Sequence, residues 1–151
     1  MRQVTYTMHF RGQASRSSGD TGVLRTTGSG TSCTLDTTVQ ATGVETTLHA
    51  KSGELAFLEL ELRLHGQNAF DGTGTLTFGD DTEHALRFST LAPGHLAPSP
   101  IAGVMAGAVS WKVDSGSGTF AGATGVITSA FTLTDSGDIS EYHCGLIFLP
   151  E

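Results

Sequence analysis

Gly116-Ser117-Gly118-Thr119-Phe120-Ala121-Gly122-Ala123-Thr124-Gly125 places four glycines in ten residues, with small residues between most of them. Neither a helix nor an ordinary flat strand accommodates that density, because glycine costs backbone entropy in both. What glycine offers is positive φ and close backbone approach, the needs of a corner. Strand-like apolar runs lie on both sides, Val109 to Val113 before and Val126 to Leu133 after. A corner between two strands is the expected reading.

The same character extends outward. Residues 126–134 carry Ile127, Phe131 and Leu133 on one face, Asp135-Ser136-Gly137-Asp138 reads as a hairpin turn, and residues 139–149 form a last strand ended by Pro150. Upstream, residues 101–114 put Met105, Val109, Trp111 and Val113 on one face. Residues 3–11 alternate, with Val4, Tyr6, Met8 and Phe10 opposite Thr5, Thr7, His9 and Arg11. Residues 54–65 set Leu58, Leu60, Leu62 and Leu64 against Glu59, Glu61, Arg63 and His65. Period two outweighs the helix propensity of Leu and Glu, and the charged face is expected in water. Strands are also expected at 32–40 and 44–51 around Ala41-Thr42-Gly43, and at 73–78 and 83–91 around Gly79-Asp80-Asp81. Residues 12–32 read as a loop with a short strand. Residues 92–100, with Pro93, Pro98 and Pro100, read as a long loop that is either a rim over a pocket or a plain connection.

Composition agrees. The 151 residues suit one domain spanning 1–151, and 20 glycines with only 15% charged residues point to an all-β chain. A net charge of −7 with scattered Lys and Arg argues against nucleic acid or an anionic membrane as partner. No apolar run is long enough for a spanning helix, and no basic-then-apolar segment opens the sequence, so a cytoplasmic protein is expected. Cys33 and Cys144 are expected as reduced, mostly buried thiols. Gly-Ser/Thr-Gly-Thr recurs at Gly28, Gly72 and Gly116 with equal spacing, which a β-trefoil would also produce. The residues after each copy do not match. The expected architecture is therefore a single closed antiparallel β-barrel of about eight to nine strands, with a β-trefoil as the alternative.

From Trp111-Lys112-Val113 through the glycine-rich element to the last strand, the chain resembles the allene oxide cyclase and dirigent-type barrels. In these a Gly-Thr-Gly-x-Phe-x-Gly-Ala-x-Gly element sits between two late strands. The resemblance spans about a third of the chain, residues 103–149. It implies a small apolar ligand inside a calycin-like barrel, cofactor-free isomerisation or cyclisation, and a homo-oligomer, dimer or trimer. The catalytic residues of the plant cyclases do not map onto the N-terminal half.

Candidate residues follow from parity. Glu141 and His143 share a face of the last strand, and Tyr142 and Cys144 share the other. A carboxylate beside an imidazole orients it for proton transfer; the alternative is a surface pair. His84 shares parity with Leu86 and Phe88, so it is either a satisfied core histidine or a wall residue within reach of a ligand. His143, Glu141, His84 and Tyr142 are thus the catalytic candidates, and Tyr6, Phe88, Trp111 and Phe131 the ligand-lining ones. His49 and His95 read as exposed. Neither a His-x-His nor a Cys-x-x-Cys motif is present, so neither a metal nor another cofactor is expected. Gly116-Ser117-Gly118 lacks the helix and the Lys-Ser/Thr of a phosphate loop. The expected function is a cofactor-independent isomerase or cyclase for a small, mostly apolar metabolite. A non-catalytic, lipocalin-like binding barrel is the alternative, and a packed interaction module the third.

Overall fold

A computed structural model describes every residue except Thr21 and Asp81. Among the described residues the chain is all-β: β1 (Arg2–Arg16), β2 (Val23–Gln40), β3 (Gly43–Ala50), β4 (Ala56–His65), β5 (Ala69–Phe78), β6 (Ala85–Thr90), β7 (Gly94–Pro98), β8 (Val104–Ser117), β9 (Thr124–Thr134) and β10 (Asp138–Leu149). One antiparallel sheet holds them, in the order β1-β10-β9-β8-β6-β5-β4-β2, and pairing of β1 with β2 closes a ring of eight strands. β7 continues the line of β6, pairing with β5 at one edge and β8 at the other. β3 lies off the ring and pairs with β2 alone.

Period two decides which side chains fill the ring. Leu58, Leu60 and Leu62 of β4 are buried, while Glu59, Glu61 and Arg63 are exposed, as the alternation predicts. Phe10, Phe70, Leu76, Leu86, Phe88, Trp111, Ile127 and Ile147 complete one continuous core. Each fully buried Leu, Ile or Phe contributes about 1.5–3 kcal/mol, so this stripe supplies the main driving force.

The glycine-rich stretch is the corner it promised to be. β8 ends at Ser117, a single 3-10 turn covers Gly118–Phe120, and β9 starts at Thr124. Gly118 (φ +58°) and Gly122 (φ +74°) adopt backbone that other residues rarely tolerate. A bulge in the neighbouring β6–β8 pair leaves Asp114 without a partner between Ser115, opposite Arg87, and Val113, opposite Phe88. Such an extra residue bends a strand.

Three expectations change. Residues 12–32 are mostly strand, because the Gly-rich segments of β1 and β2 lie against each other, Gly12 opposite Gly28 and Phe10 opposite Gly30. The proline segment contains β7: Pro98 sits at its end, so the strand keeps the Leu96 N–H, which donates to the Asn68 carbonyl at 2.9 Å. That split of one wall position, together with β3, brings the described strands to ten, while the ring itself has eight, within the expected eight to nine. Cys33 is buried, but Cys144 is exposed, on the outward face of β10. Of the Gly79-Asp80-Asp81 turn, Asp81 lies outside the described residues, and Gly79 has φ +71°. The three Gly-Ser/Thr-Gly-Thr copies fall within β2, within β5 and across the end of β8, three different settings.

Gly107 of β8 shows how tightly the interior is fitted, since a Cβ there would lie 2.2 Å from Phe131 Cζ. Gly107→Ala is expected to lower stability by about 1–3 kcal/mol through overpacking. Leu60→Ala is expected to cost about 2–5 kcal/mol through a cavity. Glu59→Gln, on the outer face, stays within about 0.5 kcal/mol. Urea unfolding midpoints of the three variants check the order.

Candidate functional site

β1 and β10 pair along most of their length, with Phe10 opposite Glu141, Met8 opposite His143 and Tyr6 opposite Gly145. Because Phe10 points inward, so do Glu141 and His143. Both are 1% exposed, and His143 Nε2 lies 2.9 Å from Glu141 Oε1. Alternation at this strand therefore yields an interior pair, not a surface one.

The surroundings are aromatic. The Phe10 ring meets His143 edge-on at 5.0 Å, and Phe88 does so at 6.2 Å. Phe88 in turn packs edge-on against Trp111 at 5.1 Å. The Trp111 indole donates to Ser129 Oγ at 2.9 Å, and Ser129 lies opposite His143 on β9.

Among the described residues four buried side-chain polar atoms have no hydrogen-bond partner: Glu141 Oε2 and His143 Nδ1 of this pair, Tyr6 OH, and Thr26 Oγ1 on β2. Leaving such atoms unpaired costs about 1–3 kcal/mol each, so their presence calls for a function. Tyr6 owes its place to Gly145, where a Cβ would fall 2.1 Å from the Tyr6 ring; without one, the ring lies against β10. Burial, and then the negative charge possible at Cys144 and Glu141, raises the Tyr6 pKa well above the usual tyrosine value. Its hydroxyl is held as a neutral donor.

The other candidates separate from this pair. Tyr142 lies on the outward face of β10, 42% exposed, stacked on His9 at 4.5 Å. His9 also meets Ser140 Oγ at 2.8 Å, and burial followed by the nearby Arg11 lowers its pKa. His84 precedes β6, and its Nδ1 accepts the Thr119 N–H at 3.1 Å, fastening the glycine-rich corner. Phe88 and Trp111 are part of the pair's surroundings, and Phe131 lies opposite Glu141 on β9 while also packing edge-on against Phe70 at 6.0 Å. His49 and His95 are exposed, as expected. Thr26 and Ser129 escaped notice in the sequence. Thr26 lies in the segment read as a loop, where its parity with Leu24 and Gly28 carried the signal.

A cleft of about 630 Å³ runs across β2, β4, β5, β6 and β8, where the buried Thr26 and Phe88 line it beside Glu59, Arg87 and Asp114. Among its charged groups, Arg25 and Glu61 are exposed and pair with each other at 3.3 Å. Volume alone does not outweigh buried, unpaired polar groups, and the Glu141–His143 pair is the stronger candidate. Among the described residues no cluster of three or more His, Cys, Asp or Glu could hold a metal ion. Comparison with protein-family models, curated proteins and solved structures found no match.

The raised Tyr6 pKa has a definite sign. A tyrosine whose pKa is raised on folding supports stability below its unfolded value of about 10 and loses that support as pH rises further. In a Tyr142→Phe variant, where Tyr6 is the sole tyrosine, absorbance at the phenolate band is expected to stay low above pH 10 until the protein unfolds. Tyr6→Phe is expected to weaken the alkaline loss of stability.

Proposed function

We propose that the ring is a barrel enclosing a small, mostly apolar molecule, and that the protein is a cofactor-independent isomerase or cyclase using Glu141 and His143 for proton transfer. One observation carries this: a carboxylate–imidazole hydrogen bond buried among aromatic rings, with the second polar atom of each partner unpaired. With its Nε2–H donated to the Glu141 carboxylate, a neutral His143 presents the Nδ1 lone pair to the interior. That lone pair takes a proton from an acidified carbon. Glu141 steadies the resulting imidazolium, and the proton returns to a different carbon as the double bond shifts. Substrate and product have the same atoms, so no co-reactant is needed. The Tyr6 hydroxyl, as neutral donor, suits the oxygen on which negative charge develops. Confinement by Phe10, Phe88 and Trp111 supplies orientation. The resemblance to allene oxide cyclase and dirigent-type barrels supports the same class of chemistry.

Trp111 is the only tryptophan, so its fluorescence reports on the interior. With 3-cyclohexen-1-one as probe, wild-type protein is expected to show saturable quenching and accelerated appearance of the conjugated 2-enone. His143→Gln is expected to keep the quenching and lose about 10²-fold or more of the rate. Quenching without any acceleration in the wild type identifies a binding barrel instead, the reading favoured by the mainly apolar surroundings of the pair. Absence of both rejects an interior ligand site of this kind.

A further inference from the structure

β2 runs beyond the ring. Its first part, to Ser32, pairs with β1, and residues 23–30 pair with β4; from Cys33 to Gln40 it pairs only with β3. The result is a two-stranded arm whose faces differ sharply. One face pairs Leu35 with Leu48, Thr37 with Thr46 and Val39 with Val44. The other pairs Thr34 with His49, Asp36 with Thr47 and Thr38 with Glu45. Leu35, Val39 and Val44 are 47%, 80% and 66% exposed, so the apolar face is uncovered.

A two-stranded hairpin is marginal in water, and an open edge invites another strand. Lysine, proline and arginine, which blunt such edges, are absent from residues 33–50. Among the described residues no strand pairs with the outer edge of β3. Its polar face holds one carboxylate, Glu45, and one basic group, His49, four residues apart.

We propose that this edge pairs antiparallel with the same edge of a second copy, about a two-fold axis at Thr47, making a four-stranded sheet from two arms. In this register Glu45 faces the partner's His49 and His49 faces the partner's Glu45. Leu48 then lies beside the partner's Thr46, and Val44 beside the partner's Ala50. The apolar faces of both arms stay on one side. His49 Nε2 is already 3.1 Å from Asp36, which leaves Nδ1 toward the partner's Glu45. A two-fold at Glu45 would oppose two carboxylates, and one at Thr46 would set Glu45 against threonine. The free edge of β2 in the arm offers Asp36 with no basic group, so self-pairing there lacks charge complementarity. The second copy therefore fits the β3 edge, by the same cross-strand rules that order a sheet within one chain.

Sedimentation velocity over a concentration series reads the assembly, with Trp111 fluorescence confirming that each variant keeps its ring. Wild type is expected to dimerise. His49→Glu is expected to weaken the dimer about tenfold, from two like-charge contacts per dimer, and Glu45→Lys to weaken it by removing both Glu45–His49 contacts. The double variant Glu45→Lys/His49→Glu is expected to regain it. In a Cys144→Ser background, Thr47→Cys is expected to form a disulfide-linked dimer on mild oxidation, and Thr42→Cys in the turn is not. A monomer at every concentration overturns the proposal. So does a dimer that Glu45→Lys leaves unchanged and Thr47→Cys fails to cross-link, which would assign the contact to another surface. Neither result bears on the Glu141–His143 chemistry, which is read separately from the 2-enone assay.

Discussion

The pairing of β1 with β2 is the constraint on which the rest depends. Without it the sheet has two long open edges, and its apolar face meets water instead of itself. With it, eight strands share one interior, in which the hydrogen bond between Glu141 and His143 is shielded from solvent. Closure also explains the glycines of β1 and β2. Gly12, Gly28 and Gly30 lie where the two backbones come closest, and a Cβ on Gly12 or Gly30 would strike the opposite main chain. At these three positions the seam has no side chain to hold the strands apart.

β10 is the strand in which fold and chemistry meet. Its inward residues Glu141 and His143 sit one step from outward Tyr142 and Cys144, so one strand separates a buried polar couple from solvent. The same alternation that buries leucines on β4 buries a carboxylate and an imidazole on β10. The hydrophobic residues pull the strand into place, and the polar pair is carried in with them. Its cost in desolvation is offset by the mutual hydrogen bond and by closure of the whole ring.

Much of this was legible in the residues. The Leu/Glu alternation of β4, the turn at 135–138 and the glycine corner all translate directly into structure, because each depends on local periodicity or on backbone that only glycine tolerates. The shared face of Glu141 and His143 was legible for the same reason. Whether that face pointed inward was not, since the direction depends on β1 across the seam and on Phe10 in particular. The strand at 12–32 was obscured because Gly, Ser and Thr signal loops unless a partner strand lies close. β7 was hidden by its prolines. His84 shares parity with Leu86, yet its hydrogen bond to the corner, about 35 residues away in sequence, holds it at the end of the wall.

The pairing of Arg2 with Leu149 has a consequence for how the protein is made. A chain emerging from the ribosome can form the hairpins of its middle strands as they appear. β1 must wait for β10 before both its edges are satisfied. Contacts of such long sequence separation are slow to form. Until β10 arrives, the nascent chain presents an unfinished sheet whose leucine-lined face is open, and the interval between its release and its closure is when it most needs protection from its neighbours.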